Sequence, residues 1–392
     1  QPLEGYKILD LSYANLGGSY IATLLAEFGA ECIKVEPPSG DPARYFSPYG
    51  MLHNGMGLGF IDANRNKFFI TLNLETEKGR EIFKEMVKKV DVVIETFKPG
   101  YMDSLGIGYR QLKEINPGLV YVAVNNYGQY GPLARTNRSG YDIDAQAMSG
   151  LAYHTGERPG TPDIPEEAQV PTRMGSWVAW ASCGYWGALG VLAALWWRRK
   201  TGKGQMIDVS PWETAYYGTD TAQTVYQFEG FKDEAIRERA GPVEPLAQVY
   251  AYFPAKDGWV FIGAFADASF NSFCDMVGRA DLKEKYPTLR PYRAWENAFK
   301  VYDDVKEITK EKTIDEWVNM ALEWSKTHPS IAVSPVRRAI EVYNDEGYYE
   351  TRTLVRLKDP IHGDVVVAKG CPKYCGPCLL YTSDAADDGE SV

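Results

Sequence analysis

Two runs of apolar and β-branched residues, Val90–Glu95 (VDVVIE) and Leu119–Asn125 (LVYVAVN), most restrict what this chain can become. A strand with one wet face alternates polar and apolar residues. A strand without that alternation is buried on both faces, which is the situation in parallel sheets covered by helices on each side. The pattern extends upstream. Tyr6–Leu11 (YKILDL) and Glu31–Glu36 (ECIKVE) read as strands, separated by a helix that opens at Gly17-Gly18 and runs through Phe28. Phe69–Leu74 reads as another strand and Glu77–Lys89 as a helix with Met and Phe on one face. A short helix ends at Leu112–Ile115, before Asn116-Pro117-Gly118. Alternation at this spacing builds right-handed βαβ units and a doubly wound parallel sheet.

Further on, Met174–Trp197 contains no charge and is flanked by Arg173 and by Arg198-Arg199-Lys200. Its length fits a membrane span. Its glycines and aromatics, and the soluble α/β pattern that resumes after it, favour a buried helix. Met206–Ser210 reads as a strand, with a helix near Glu213–Thr224. Residues 225–245 are polar and without period, as in a linker. Val249–Phe253, Asp257-Gly258 and Trp259–Ile262 form a strand–turn–strand hairpin. Helical segments fill much of 265–345, and strands return near 355–369 about a turn at His362-Gly363.

Composition narrows the function. The 392 residues suffice for two domains or one large one, and a net charge of -10 argues against a nucleic-acid-binding face. It leaves room for an anionic ligand held by local cations or backbone N–H groups. Six scattered cysteines and the lack of an opening signal segment point to the cytoplasm. Cys371, Cys375 and Cys378 make half a metal site without its remaining ligands, and the four histidines are isolated, so no metal is expected. No G-x-G-x-x-G follows the first strand, which speaks against a dinucleotide enzyme. The 10 Trp and 26 Tyr residues suit either an aromatic acyl pocket or the core. Cys378–Asp388 (CLLYTSDAADD) looks like translated sequencing-library adapter, so 378–392 is set aside as a non-native tail.

Five segments, in this order and spacing, resemble the class III CoA-transferases: Gly5–Arg44, Asp91–Tyr109, Ile115–Pro132, Gly140–Leu151 and Gly190–Ser210. That family includes carnitine, formyl and benzylsuccinate CoA-transferases and the related α-methylacyl-CoA racemases. The resemblance covers about residues 4 to 374. It implies an α/β fold with a Rossmann-like large domain, a smaller α+β domain and a C-terminal return, in an interlocked dimer. On that pattern residues 1–224 begin the large domain, 225–345 form the small one and 346–377 return. The resemblance also makes the uncharged span a buried helix.

CoA carries phosphates, an adenine and a flexible pantetheine arm. A site for it needs backbone N–H groups at a strand-to-helix turn and an apolar channel. The resemblance puts CoA contacts at Tyr13, Ala14, Asn15 and Leu16, otherwise an ordinary βα loop. It puts others at Thr96, Phe97 and Lys98, where Phe97 either covers the ligand or packs in the core. Glu36, Arg44, Leu72 and Met102 lie in further contacting segments. Pro37, Glu75 and Ser104 replace residues that are basic in formyl-CoA transferase, which weakens phosphate binding by that route unless cations such as Lys98 compensate.

Moving CoA between two carboxylic acids implies, in this family, an Asp that attacks the acyl thioester and is later released through an aspartyl-CoA thioester. Backbone amides near it hold the oxyanion. Counting back from Leu192-Ala193-Ala194-Leu195 puts Trp180 at its position, and no Asp or Glu lies between Glu167 and Asp208. Three readings follow. The chain is the Asp-lacking subunit of a heteromeric CoA-transferase; or it uses another carboxylate, Asp142, Asp144, Asp163 or Glu167; or it binds acyl-CoA as a non-catalytic or structural subunit. A racemase would need a His where Tyr141 stands, as well as the lost Asp. Asp142 also suits a helix N-cap. The expected ligands are acyl-CoA and a carboxylic acid, with no permanently bound cofactor. The expected partner is a homologous subunit, like or unlike, without nucleic acid or membrane.

Overall fold

The computed structural model describes residues 1–136, 138–157, 165, 170–219, 241, 243, 249–287, 294–359 and 363–368. They fall into two units. One takes the described residues of Gln1–Ala152, Arg173–Thr224 and Tyr349–Val392, the other those of Tyr153–Thr172 and Val225–Tyr348.

Six parallel strands organise the first unit: β1 (Lys7–Leu11), β2 (Glu31–Glu36), β3 (Lys67–Thr71), β4 (Val92–Glu95), β5 (Val120–Val124) and β6 (Met206–Val209). Their spatial order is β3-β2-β1-β4-β5-β6. Leu9 lies opposite both Ile33 and Val93, and Val122 opposite both Ile94 and Ile207. Both β4 and β5 are buried along their whole length, as their unbroken apolar runs require. The order runs outward in both directions from β1 and β4. The crevice beyond their C-terminal ends is therefore the switch point at which open α/β sheets bind ligands.

Helices cover both faces. On one side α1 (Leu16–Glu27) is buried with Ile8, Ile94 and Val122 of the sheet. On the other, α2 (Glu77–Val87) buries Phe83 and Val87, one turn apart, and exposes most of the rest. Thr76 caps α2 by accepting the Gly79 N–H. A short helix, α3 (Asp142–Met148), precedes the long α4 (Val178–Thr201). Two glycines on one side of α4 let it approach α1. A Cβ on Gly187 would sit 2.2 Å from Ile21 Cδ1, and one on Gly184 would sit 2.6 Å from Tyr20 Cβ. By length and composition α4 could cross a membrane; half of its most apolar window is buried in the fold. Tyr185, Leu189 and Trp196 are exposed on its outer side. The helix stops at Gly202, whose positive φ of 72° suits the left-handed cap.

Two elements differ from the sequence reading. The strand expected at Phe69–Leu74 is β3, Lys67–Thr71, at the sheet edge. Its Phe68, Phe69 and Ile70 are all exposed, so apolarity there does not mark the buried positions. The helix expected near Glu213–Thr224 runs Pro211–Tyr217, with Pro in its first turn; residues past 219 lie outside the described ones.

The second unit holds an antiparallel sheet. A hairpin of β7 (Val249–Ala255) and β8 (Gly258–Ala264) is joined on its other side by β9 (Ala332–Pro335). Phe253, Ile262, Phe270, Phe273, Val301 and Trp317 make its core. The Trp317 indole donates to the Thr309 carbonyl at 2.9 Å, so this large buried side chain leaves no polar atom unsatisfied. Near the end of the described chain β10 (Leu354–Asp359) pairs with β11 (Gly363–Ala368). The Arg65 guanidinium reaches the Ala368 carbonyl at 3.3 Å while pairing with Glu27 at 2.7 Å.

Candidate active site

The turn after β1 and the loop after β4 meet at the switch point. Thr96 Oγ accepts the Tyr13 N–H at 2.8 Å and donates to the Tyr13 carbonyl at 3.0 Å. The Tyr13 ring lies 6.2 Å from Phe97, stacked, and Phe97 lies 4.9 Å from Tyr101. Together they form an aromatic row along the loop edge. Lys98 is exposed beside them and makes no ion pair among the described residues.

Side chains take up much of the turn's backbone. Asp10 accepts the Ser12 N–H, Asp41 the Ala14 N–H and Asn15, the N-cap of α1, the Gly17 N–H. These amides, with that of Tyr13, are engaged within the protein and are not an open phosphate cradle. Beneath the turn, Lys34 pairs with Asp41 at 3.1 Å and donates to the Ser12 carbonyl. Lys67 pairs with Asp10 at 2.9 Å and also donates to the Ser19 and Ala63 carbonyls and to Asn64. Burial alone would raise the Asp10 pKa. The Lys34 and Lys67 ammonium groups outweigh it and hold the carboxyl well below the usual range.

The other expected binding residues divide. Glu36 and Arg44 form a two-pronged pair at 2.8 and 3.0 Å, with the guanidinium over the Phe60 and Phe69 rings at 5.0 and 5.6 Å. Leu72 is partly buried on the α2 side, and its N–H donates to the Glu36 carbonyl. Met102 is buried with Phe83 and Ile107 rather than presented at the crevice. Tyr101 donates its hydroxyl to Glu75.

Sequence reasoning missed Lys34, Asp41 and Glu95. Asp41-Pro42 is a legible start signal, an N-cap followed by proline. Glu95 closes β4 and accepts the Phe97 N–H at 2.6 Å. Burial raises its pKa to about 8, against the opposing pull of that N–H and of Tyr121.

Trp180 lies in the first turn of α4, only 3% exposed. Its ring is nearly parallel to Phe46, 5.9 Å away, and tilted against Trp177 at 5.8 Å. Leu16 shares this cluster, and a Cβ on Gly17 would stand 3.4 Å from Trp180 Cδ1. The turn after β1 and position 180 thus converge. The indole N–H has no hydrogen-bond partner among the described residues. Asp142 does not cap its own helix, whose N-cap is Tyr141. Its Oδ1 instead accepts the Trp180 backbone N–H at 2.9 Å, and its Oδ2 accepts from Gln146 at 2.6 Å. The carboxylate therefore caps α4 from outside, where the helix dipole favours negative charge. Burial raises its pKa, opposed by the Trp180 N–H, Gln146 and the Ala179 N–H. Asp144 accepts from Asn126 at 2.8 Å and Tyr127 at 2.7 Å. Asp163, Glu167, Cys371, Cys375, Cys378 and the 378–392 tail lie outside the described residues.

A family model described as "CoA-transferase family III" matches residues 3–376. The chain belongs to CoA-transferase family III. This family III chain is 33% identical over 378 residues to the succinyl-CoA–L-malate CoA-transferase alpha subunit of Chloroflexus aurantiacus, covering 95% of this chain and 82% of that one. It is also 35% identical over 285 residues to the beta subunit of the same organism, covering 72% and 66%. Among solved structures, a CAIB/BAIF family protein from Brucella suis matches with a TM-score of 0.76 at 28% identity, covering 95% of this chain and 93% of that one. The resemblance read from the five sequence segments and the α/β fold both hold.

Proposed function

We propose that this CoA-transferase family III chain is the Asp-lacking subunit of a heteromer, interlocked in the cytoplasm with a homologous chain that keeps the nucleophile. Trp180 carries the reading. The side chain at the nucleophile's position is a packed indole, and the carboxylates of the neighbouring segment, Asp142 and Asp144, are both engaged in hydrogen bonds. The similarity to both an alpha and a beta subunit supports a two-chain arrangement.

In the pair, the partner's carboxylate attacks the acyl-CoA carbonyl. The C–S bond breaks, CoA leaves as thiolate and a mixed anhydride remains. The thiolate then adds to the enzyme's own carbonyl, releasing the first acid and leaving an enzyme–CoA thioester. The second acid reverses the sequence and departs as its CoA ester. This chain contributes CoA contacts from Tyr13, Ala14, Asn15 and Leu16, from Thr96, Phe97 and Lys98, and from Glu36, Arg44 and Leu72. Met102 supports them from the core. The relatives' names point to succinyl-CoA as donor and a dicarboxylic acid as acceptor.

The test is purification of the chain alone and together with a homologous chain that retains the Asp, followed by assay of CoA transfer from succinyl-CoA to malate. Turnover is expected from the pair only, and is lost when the partner's Asp becomes Asn. Turnover by this chain alone, lost in Asp142→Asn, Asp144→Asn, Asp163→Asn or Glu167→Gln, would move the nucleophile to that residue. A pair that transfers nothing and binds no CoA would leave a purely structural subunit.

A further inference from the structure

Ala14 has a φ of +53°, a left-handed backbone that L-residues with a Cβ avoid. It lies in the turn after β1, so something must hold it there. Asp41 and Lys34 do. Asp41 Oδ1 accepts the Ala14 N–H at 2.8 Å and the Ala43 N–H at 2.9 Å, while Oδ2 pairs with Lys34 Nζ at 3.1 Å. Lys34 also grips the Ser12 carbonyl, on the near side of the turn. The Asp41 N–H donates to Glu36 Oε2 at 3.2 Å, and Glu36 holds Arg44 with both oxygens. One chain of polar contacts, buried at Lys34, Asp41 and Glu36, thus runs from Ser12 and Ala14 to the partly exposed Arg44. Lys34 is 0% exposed and Asp41 2%, so neither reaches a ligand in the crevice.

We propose that Asp41 and Lys34 are positioning residues that set the affinity for acyl-CoA by locking the Tyr13–Leu16 turn in its left-handed form and tying it to Arg44. This rests on the reading above that the turn contacts CoA. Asp41→Asn keeps the size of the side chain but replaces an acceptor with an amide N–H aimed at the Lys34 ammonium. The turn then relaxes out of the conformation the ligand needs.

The experiment is calorimetric binding of succinyl-CoA to the full chain with its homologous partner. Asp41→Asn is expected to weaken binding tenfold or more and to speed hydrogen exchange at the Ala14 amide. Adding Ala14→Gly to Asp41→Asn is expected to recover at least threefold, because glycine takes a positive φ without the Cβ penalty. A merely structural loss would not be rescued that way. Lys34→Met leaves Asp41 charged and unpaired in the core, so the double variant Lys34→Met/Asp41→Asn, which removes both charges, is measured beside it. Folded variants that bind within twofold of wild type, or a loss untouched by Ala14→Gly, would overturn the positioning role. A wild-type complex that binds no acyl-CoA would sink the CoA reading and the proposal with it.

Discussion

A single hydroxyl, that of Thr96, satisfies both backbone polar groups of Tyr13, accepting from its N–H and donating to its carbonyl. The two strands on either side of the switch point are thereby joined above their last sheet hydrogen bonds. Thr96→Val removes both contacts while keeping the shape. It should cost about 1 kcal/mol in a urea titration and weaken succinyl-CoA binding, whereas Thr96→Ser should stay near wild type. Equal behaviour of Val and Ser would show that the hydroxyl does not matter.

Glu95 makes stability depend on pH in a definite direction. In the folded protein it keeps its proton to about pH 8, while the unfolded chain releases it near the ordinary value of 4.5. Between those values the native state binds the extra proton, so stability falls as pH rises. Glu95→Gln carries no titrating proton. Its stability, from urea midpoints across pH 5 to 8, is expected to decline less steeply than that of wild type; parallel curves would contradict the assignment.

Trp180 is a large buried residue whose indole N–H, unlike its backbone N–H, is unpartnered among the described residues. Trp180→Ala should therefore cost roughly 3–5 kcal/mol in guanidinium unfolding, the range for emptying an aromatic site in a core. Trp180→Phe keeps a ring against Phe46 and forfeits no hydrogen bond, so it should cost less than half as much. A Phe variant as unstable as the Ala variant would mean that the indole N–H is satisfied.

The approach of α4 to α1 depends on Gly187. Gly187→Ala places a methyl against Ile21 and should cost about 1–3 kcal/mol. Ile21→Ala alone loses core volume, about 2–5 kcal/mol. Combined, each relieves the other, so the double variant should lose clearly less than the sum; a thermodynamic cycle from chemical unfolding measures that coupling. Strict additivity would rule out the contact.

Legibility in the sequence followed burial. The strands β4 and β5 were readable because both of their faces are covered, and the apolar run tracks that directly. The edge strand β3 was misplaced by two residues at its start and three at its end because its Phe-Phe-Ile run is exposed. Trp180 was singled out in the sequence by order and spacing against the family, and its burial against Phe46 is a separate fact that the structure adds. The engagement of Asp142 was not, because its partner is a backbone amide 38 residues away. Lys34 is a charged residue within a strand, yet it is fully buried, and its partners Asp41 and Ser12 explain that.

The Thr96–Tyr13 link also has a consequence in time. Its partners are 83 residues apart, and β4 takes its place beside β1 only after two intervening strands of the same sheet have been made. A nascent chain that has emerged only as far as β3 can pair β1, β2 and β3 and already carries Lys34 and Asp41, but it lacks the Thr96 hydroxyl that fastens Tyr13. The Thr96 fastening of the Tyr13 backbone is thus a step separate from the first appearance of sheet.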